Sequence, residues 1–301
     1  MKKLIILAFI CANFLAKAQQ EPQFTLNQFN SQLEINPAYA GANINSSISL
    51  RSRKQWVGFT GSPSTFNFNL EGKLINKQLA AGLTLIRDRI GIIQSNSLGI
   101  SLSSHLIVSE EGTLALGIKM GVNFMKSDFS MLTNVDPSDP LYNTKNITSP
   151  FVGFGALYYT EKLYIGFAIP DVKSFENVSP RLKVYKPHYY LYGGYKIFLN
   201  SDIDIRPALL GKYVSAAPIV IDAAMDVWYK NQFGFGFSYR TMDAINVMIK
   251  GQFHNFYLGY SYDMTVSKLR TLNSGTHEIL LGFSFGKNSI PDRNQNSRYF
   301  K

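Results

Sequence analysis

The sequence predicts an all-β protein, a transmembrane antiparallel β-barrel of about 14 strands. Three observations carry this prediction. Large apolar residues alternate with small or polar residues along almost the whole chain. Glycines and polar residues occupy the opposite face of the same segments, and short links between strands alternate with longer ones.

The two-residue period extends through residues 44–286. In the first strand Ile48 and Leu50 share one face, whereas Arg51 and Arg53 share the other. Successive side chains of a strand point to opposite faces, so each alternating run indicates one strand. We count fourteen such runs and find no amphipathic helix among them.

The face opposite the large apolar residues is small or polar. Its glycines are Gly99, Gly117, Gly121, Gly234, Gly236, Gly259 and Gly282. A water-soluble barrel fills its interior with apolar side chains. Here the apolar residues require an apolar exterior, and an aromatic content of 14% fits a barrel with Phe and Tyr at both membrane interfaces. The pattern therefore predicts a barrel that spans an outer membrane.

The links between strands indicate the orientation of the barrel. Short links follow every second strand, at residues 76–78, 110–112, 160–162, 200–202, 230–231 and 254–255. Long links are expected at residues 127–149, 170–187 and 263–275. Outer-membrane barrels have short periplasmic turns and longer outer loops. We therefore expect both chain ends on the periplasmic side.

The chain divides into four predicted segments. Residues 1–18 read as a secretory signal peptide, with two lysines, an apolar run and a small-residue cleavage site. Residues 19–43 form an N-terminal plug, residues 44–286 the barrel, and residues 287–301 a polar periplasmic tail. Cys11 is the single cysteine and leaves with the signal, which excludes disulfides and cysteine ligands in the mature protein.

No motif indicates catalysis, a cofactor or a metal. Residues 282–286 match the G-x-S-x-G nucleophile elbow, but that motif needs a strand, a turn and a helix, and here it lies inside an alternating strand. His277 and Glu278 begin like H-E-x-x-H, yet Leu281 takes the place of the second histidine. The net charge of +10 is scattered without a long basic run, so we expect no nucleic-acid partner.

Several charged residues share the predicted inner face. Arg51, Arg53, Arg240 and Glu278 are expected to face the lumen. They fit an ion-pair network that stiffens the barrel wall, and they also fit a surface that selects or binds a ligand. The sequence leaves both interpretations open.

The motifs resemble one known family. Residues 36–41, Asn-Pro-Ala-Tyr-Ala-Gly, followed by residues 53–63, resemble the opening of the PorP/SprF family of outer-membrane proteins. Further matching stretches lie at residues 88–91, 153–159, 188–195, 238–240, 259–263 and 275–279. Thr276 stands where the family often has serine, which keeps a hydroxyl.

This resemblance implies more than the periodicity does. It implies a barrel like those of fatty-acid transporters, in which an Asn-Pro-Ala segment belongs to an N-terminal plug. The plug motif would be Asn36, Pro37, Ala38, Tyr39 and Gly41. It also implies a part in type IX secretion and gliding motility. The partners would be a secreted adhesin with a type IX C-terminal signal domain, other type IX components and outer-membrane lipid.

Two functions follow as hypotheses. In the first, the protein is a non-enzymatic component that supports export or surface attachment of the adhesin. Its partner-binding rim would include Trp56, Phe59, Asp88, Asp263 and His277, because aromatic anchors in loops dominate binding energy. In the second, the glycine-lined and charged lumen makes the protein a channel or transporter for a small or hydrophobic solute.

Overall fold

The structure, a computed structural model, describes residues 24–25, 32–43, 46–74, 78–129, 145–173, 186–215 and 217–286. The predicted signal peptide (1–18) and tail (287–301) lie outside the described residues, as do large parts of the predicted loops 127–149 and 170–187.

The described residues form fifteen strand segments. They are β1 (Ser46–Lys54), β2 (Ser64–Lys73), β3 (Leu79–Ile90), β4 (Ile93–Ile107), β5 (Thr113–Ser127), β6 (Lys145–Tyr159), β7 (Leu163–Lys173), β8 (His188–Tyr195), β9 (Ile197–Phe198), β10 (Ile203–Val214), β11 (Val220–Tyr229), β12 (Phe233–Arg240), β13 (Ala244–Phe253), β14 (Phe256–Thr265) and β15 (Thr276–Phe285). The segments β8 and β9 both pair with β10 in one register and count as one interrupted strand of the barrel. Pro207 of β10 lies beside the break between β8 and β9 at Lys196, and it has no N–H to donate.

The fourteen strands close into a barrel. Each strand is antiparallel to its neighbours. The last strand, β15, pairs with β1, and Arg51 lies opposite Leu280. The described residues thus confirm the predicted all-β, closed, antiparallel barrel of 14 strands. Closure leaves no unpaired edge among the described strands, as the absence of water inside a membrane requires.

The two faces of the wall have opposite chemistry. In β1 Leu50 is 38% exposed on the outside, whereas Arg51 on the inside is 1% exposed. The outer face carries many exposed large apolar side chains, among them Phe235, Phe237 and Phe256. Burial of these side chains in lipid replaces the burial that a soluble core would provide.

A stretch of irregular chain lies inside the barrel. We call residues 24–25 and 32–43 the inner segment. It contains a short 3-10 helix, Pro37–Tyr39, that packs against β4, β5 and β6. Nearly all of its residues are buried. A second 3-10 helix, Lys268–Leu272, lies in the β14–β15 link. No helix among the described residues is long and apolar enough to cross a membrane.

The inner segment runs along the lumen from one end to the other. Residue 43 lies close to the start of β1, at the end of the barrel where the short links are located. We call this the short-link end. Thr25 contacts Arg53, Arg240 and Asp263, all within two residues of strand ends at the opposite, long-link end. Thr25 therefore lies at the long-link end of the lumen, opposite the end at which β1 begins. The charged residues of the wall at the long-link end hold it there.

Candidate functional site

Asn36 fixes the inner segment to the barrel wall. Its side-chain Nδ2 donates to the Tyr192 hydroxyl at 2.9 Å and to the backbone oxygen of Ala156 at 3.0 Å. Its Oδ1 accepts the backbone N–H of Ala38 at 2.9 Å and so caps the 3-10 helix. Pro37 pre-sets the backbone at the first helical position. Asn36 thus joins a local turn to strands β6 and β8.

A pair of glycines makes room for this turn. Gly117 of β5 and Gly155 of β6 lie directly opposite each other on the inner face. A Cβ at Gly117 would overlap the backbone nitrogen of Ala38, and a Cβ at Gly155 would overlap Oδ1 of Asn36. Only glycine allows the inner segment to approach the wall this closely.

The end of the 3-10 helix is held by a second polar contact. The Ala40 carbonyl accepts from the Ser103 hydroxyl at 2.6 Å and lies 2.8 Å from Nε2 of His105. Nδ1 of His105 lies 2.9 Å from the Tyr159 hydroxyl. Gly41 follows with φ of +70°, in the left-handed region that favours glycine. The motif residues predicted from the sequence therefore all lie in this buried turn.

Glu34 joins the middle of the inner segment to the wall. Its carboxylate forms an ion pair with Arg51 and accepts from Nδ2 of Asn69 at 3.0 Å. Its backbone carbonyl accepts from Nζ of Lys119 at 2.9 Å. The guanidinium of Arg51 also lies over the ring of Phe24, 4.7 Å from the centroid. Three strands thus hold this part of the segment by charge and by hydrogen bonds.

An ion cluster surrounds Thr25 at the long-link end. The Arg53 guanidinium lies 2.6 Å from Asp263 and 2.9 Å from Glu278. The Thr25 hydroxyl donates to Asp263 at 2.8 Å and accepts from Arg53 and Arg240, each at 3.1 Å. The Thr25 backbone N–H donates to Glu278 at 2.7 Å. We call Thr25, Arg53, Arg240, Asp263 and Glu278 the Thr25 cluster.

The predicted lumen residues Arg51, Arg53, Arg240 and Glu278 all point into the barrel. None is more than 3% exposed. Arg240 also pairs with Asp222 at 2.9 Å, so each charge in the group has an opposite charge beside it. This pairing fits the interpretation as a network that stiffens the wall, and it also ties the inner segment to that wall.

The predicted rim residues separate into two groups. Phe59 is 43% exposed in the β1–β2 link, and Trp56 is half-buried in the same link with φ of 45°. His277 is half-buried on the outer wall, with Nδ1 2.8 Å from the Tyr260 hydroxyl. These three are open to contact by a partner.

Asp88 and Asp263 do not belong to the exposed rim. Asp88 is 8% exposed and accepts from the Thr65 hydroxyl at 2.5 Å, and Asp263 is 2% exposed within the Thr25 cluster. Strand parity turns both carboxylates into the lumen, where ionised groups can be paired or hydrogen-bonded. Their prediction as partner contacts needs this correction.

A cavity of about 130 Å³ lies beside the inner segment. Apolar Phe24, Ile35 and Phe151 line it together with Lys119 and Lys212. Among the described residues, no group of three or more His, Cys, Asp or Glu side chains is placed to hold a metal ion.

Sequence reasoning missed most of the partners of the inner segment. It named neither Thr25 nor Glu34, and it did not name Tyr192 as the residue that Asn36 reaches. One signal was present, because Gly117 and the Gly153-Phe154-Gly155 stretch carry small residues on one face of two successive strands. A paired absence of side chains on an inner wall indicates where another part of the chain touches it.

Comparison with known proteins assigns the family. The family described as "Type IX secretion system membrane protein PorP/SprF" matches this chain over residues 16–283. The chain belongs to the PorP/SprF family. The resemblance read from its motifs is thereby confirmed, and so is its location in the outer membrane. No curated protein sequence matches this PorP/SprF chain.

Solved structures similar to this PorP/SprF protein are outer-membrane barrels. The toluene transporter TbuX from Ralstonia pickettii has a TM-score of 0.50 and 10% identity, over 83% of this chain and 92% of that one. The TodX deltaS2S3 mutant monoaromatic hydrocarbon channel has a TM-score of 0.50 and 9% identity, over 85% and 94%. CdiB from Acinetobacter baumannii has a TM-score of 0.44 and 8% identity over 80% of this chain, which spans 60% of CdiB. At these identities the likeness to TbuX and TodX concerns the fold alone.

Replacing Asn36 with Ala in this PorP/SprF protein is expected to loosen the inner segment far more than Tyr192→Phe. The alanine leaves the Ala38 N–H and the Tyr192 hydroxyl without their shared partner, which costs about 2–4 kcal/mol, whereas loss of one hydroxyl costs about 1 kcal/mol. Hydrogen exchange of residues 32–43, read by mass spectrometry, measures both. Equal protection in the two variants would contradict the role given to Asn36.

Proposed function

We propose that this PorP/SprF protein supports the export or surface attachment of one secreted adhesin that carries a type IX C-terminal signal domain. Membership of the family, over residues 16–283, is the observation that carries the proposal. The long-link end of the barrel is the surface that meets the adhesin, and the protein performs no catalysis on it.

The proposed contact surface is held in place by backbone hydrogen bonds. Val57 N–H donates to the Gly275 carbonyl at 2.8 Å, and Ser274 N–H donates to the Val57 carbonyl at 2.7 Å. Trp56 N–H donates to the Thr276 hydroxyl at 3.1 Å. The β1–β2 and β14–β15 links are thereby joined, and preorganised loops lose less entropy when a partner binds.

The inner segment acts as the plug in this proposal. Its anchors are neutral and tightly packed near Asn36 and ionic near Thr25. A closed lumen suits a protein that holds a partner at the surface, because the outer membrane keeps its barrier while the partner is bound.

Deleting the gene is the test of the proposal. We expect one large adhesin to be lost from the cell surface while other type IX cargo is secreted as before, as measured by mass spectrometry of surface and medium fractions. Loss of all type IX cargo would indicate a general translocation component, and unchanged secretion would refute the proposal.

Replacing Trp56 with Ala is expected to reduce the adhesin that co-purifies with the barrel several-fold, because an aromatic anchor in the joined links is removed. Barrel assembly, measured by heat-modifiable mobility on gels, should not change. Met242, 60% exposed in the β12–β13 link at the same end, provides the control Met242→Ala. Failed assembly of the Trp56 variant would make the residue structural and refute its role in binding.

A second candidate function is transport of a small or hydrophobic solute. The cavity beside the inner segment favours it, since apolar and basic side chains line it together. Planar-bilayer recordings of the intact protein separate the two functions. Steady conductance, or uptake of an aromatic solute by vesicles, would favour transport.

A further inference from the structure

Three cations lie together on the outer wall at the long-link end. They are Lys54 of β1 and Arg87 and Arg89 of β3, all exposed. The strand register places Lys54, Ser64 and Arg89 in one row. Ser52, Phe66 and Arg87 form the next row toward the membrane. We call Lys54, Arg87 and Arg89 the basic patch.

The basic patch lines a groove of about 600 Å³. The β1–β2 link forms one wall of the groove, which Phe59 and Gly61 line. Gly91 of the β3–β4 turn donates its N–H to the Gly61 carbonyl at 2.9 Å, so the link is tied down across β2. Gly61 has φ of +77°, and this left-handed conformation lets the link fold back over the strands. The groove is therefore a built feature of the wall.

No acidic residue neutralises the patch within the part of the chain that the structure describes. Neither arginine forms an ion pair with a described residue, and among described residues Nζ of Lys54 donates to the Ser62 carbonyl at 3.4 Å. Asp88 lies between the two arginines in sequence, but its side chain points into the lumen. The groove therefore carries three positive charges and several hydroxyl groups.

The patch lies at the level where lipid headgroups meet the barrel. The row below Arg87 is apolar throughout, with Leu50, Phe68 and Leu85. One row of residues on the same face corresponds to about 7 Å along a strand. Phe66 and the three cations thus mark the boundary between the apolar band and the water-exposed end.

We propose that this groove binds the phosphate groups of a phosphorylated lipid in the outer leaflet. The guanidinium group of an arginine can donate two parallel hydrogen bonds to a phosphate group, and Lys54 adds a third positive charge. The acyl chains of the same lipid would lie along Phe66 and Leu85 below. An acidic segment of a protein partner would need the same charges, but not cations next to an apolar, membrane-facing row.

The test uses the full-length protein and native mass spectrometry in detergent, with diphosphoryl lipid A as the probe. We expect one bound lipid A per barrel. The variant Lys54→Gln/Arg87→Gln/Arg89→Gln should bind at least about tenfold more weakly, because charge-assisted hydrogen bonds to phosphate are lost. Arg87→Lys/Arg89→Lys, which keeps the charge but loses the paired geometry, should lie between the two.

Lys126 provides the matched control. It lies in the same row as Arg89, across Gln94, on the outer face of β5, but it pairs with Asp128 at 3.6 Å and does not line the groove. Lys126→Gln should bind lipid A as the unchanged protein does. Heat-modifiable mobility checks that each variant has assembled, which exposed side chains should not affect.

Four results would overturn the proposal. The first two are a triple variant that binds lipid A with wild-type affinity, and a Lys126→Gln variant that loses as much lipid A affinity as the triple variant. The other two are binding of phosphatase-treated lipid A as tight as that of intact lipid A, and displacement of lipid A by millimolar inorganic phosphate. The last would indicate a site for free phosphate. Tighter binding of an acidic peptide than of lipid A would be a fifth such result and would assign the groove to a protein partner. The cargo test through Trp56 stands apart from all of these, because Trp56 does not line the groove.

Discussion

Gly155→Val is expected to displace the Asn36 turn from the wall and to raise the ion conductance of the barrel. A Cβ at residue 155 would overlap Oδ1 of Asn36, which is fully buried and hydrogen-bonded to β6 and β8. Overpacking of a dense contact costs about 1–3 kcal/mol or more, which exceeds what one hydrogen bond returns. Single-barrel recordings in planar bilayers measure the conductance directly.

Gly211→Val is the control for this experiment. Gly211 lies in β10, and its Cβ would meet only the Leu191 carbonyl at 3.5 Å, an ordinary contact. Both variants place valine in a strand, but the valine of Gly211→Val lies on the outer face and does not meet the inner segment. Conductance that rises in both, or in neither, would mean that the contact between Asn36 and the wall does not keep the lumen closed.

Arg53→Met is expected to destabilise the barrel by about 3–5 kcal/mol, the usual cost of removing one partner from a buried ion pair. Asp263 and Glu278, 2% and 0% exposed, would keep the more distant Arg240 at 3.6 Å and Arg51 at 3.7 Å. Thr25 would lose one of its donors. The loss of heat-modifiable mobility with increasing urea measures the effect. Arg87→Met, at an exposed arginine, should stay within about 0.5 kcal/mol.

A second variant separates charge from packing. Adding Asp263→Asn to Arg53→Met removes one of the two carboxylates that lose Arg53, so part of the lost stability should return. If the double variant is as unstable as the sum of the two single changes, the cost of Arg53→Met arises from lost packing. The Thr25 cluster would then not depend on charge balance.

The barrel could be predicted because its signal is local. Alternation within each strand fixes which face meets lipid, and the positions of Arg51 and Gly117 on the inner face follow from counting by two. The number of alternating runs gives the strand number, and the link lengths predict the orientation. Rim assignments failed for Asp88 and Asp263, since a charged residue near a strand end fits the lumen as well as the surface.

The sequence by itself determined the barrel, its apolar exterior and the family to which it belongs, because these depend on a period of two and on short local motifs. Only the tertiary structure decided which wall residues meet the inner segment. Contacts such as Asn36 with Tyr192, or Thr25 with Asp263, join residues more than 150 positions apart. Barrel closure sets these pairings in three dimensions, and no local pattern in the chain encodes them.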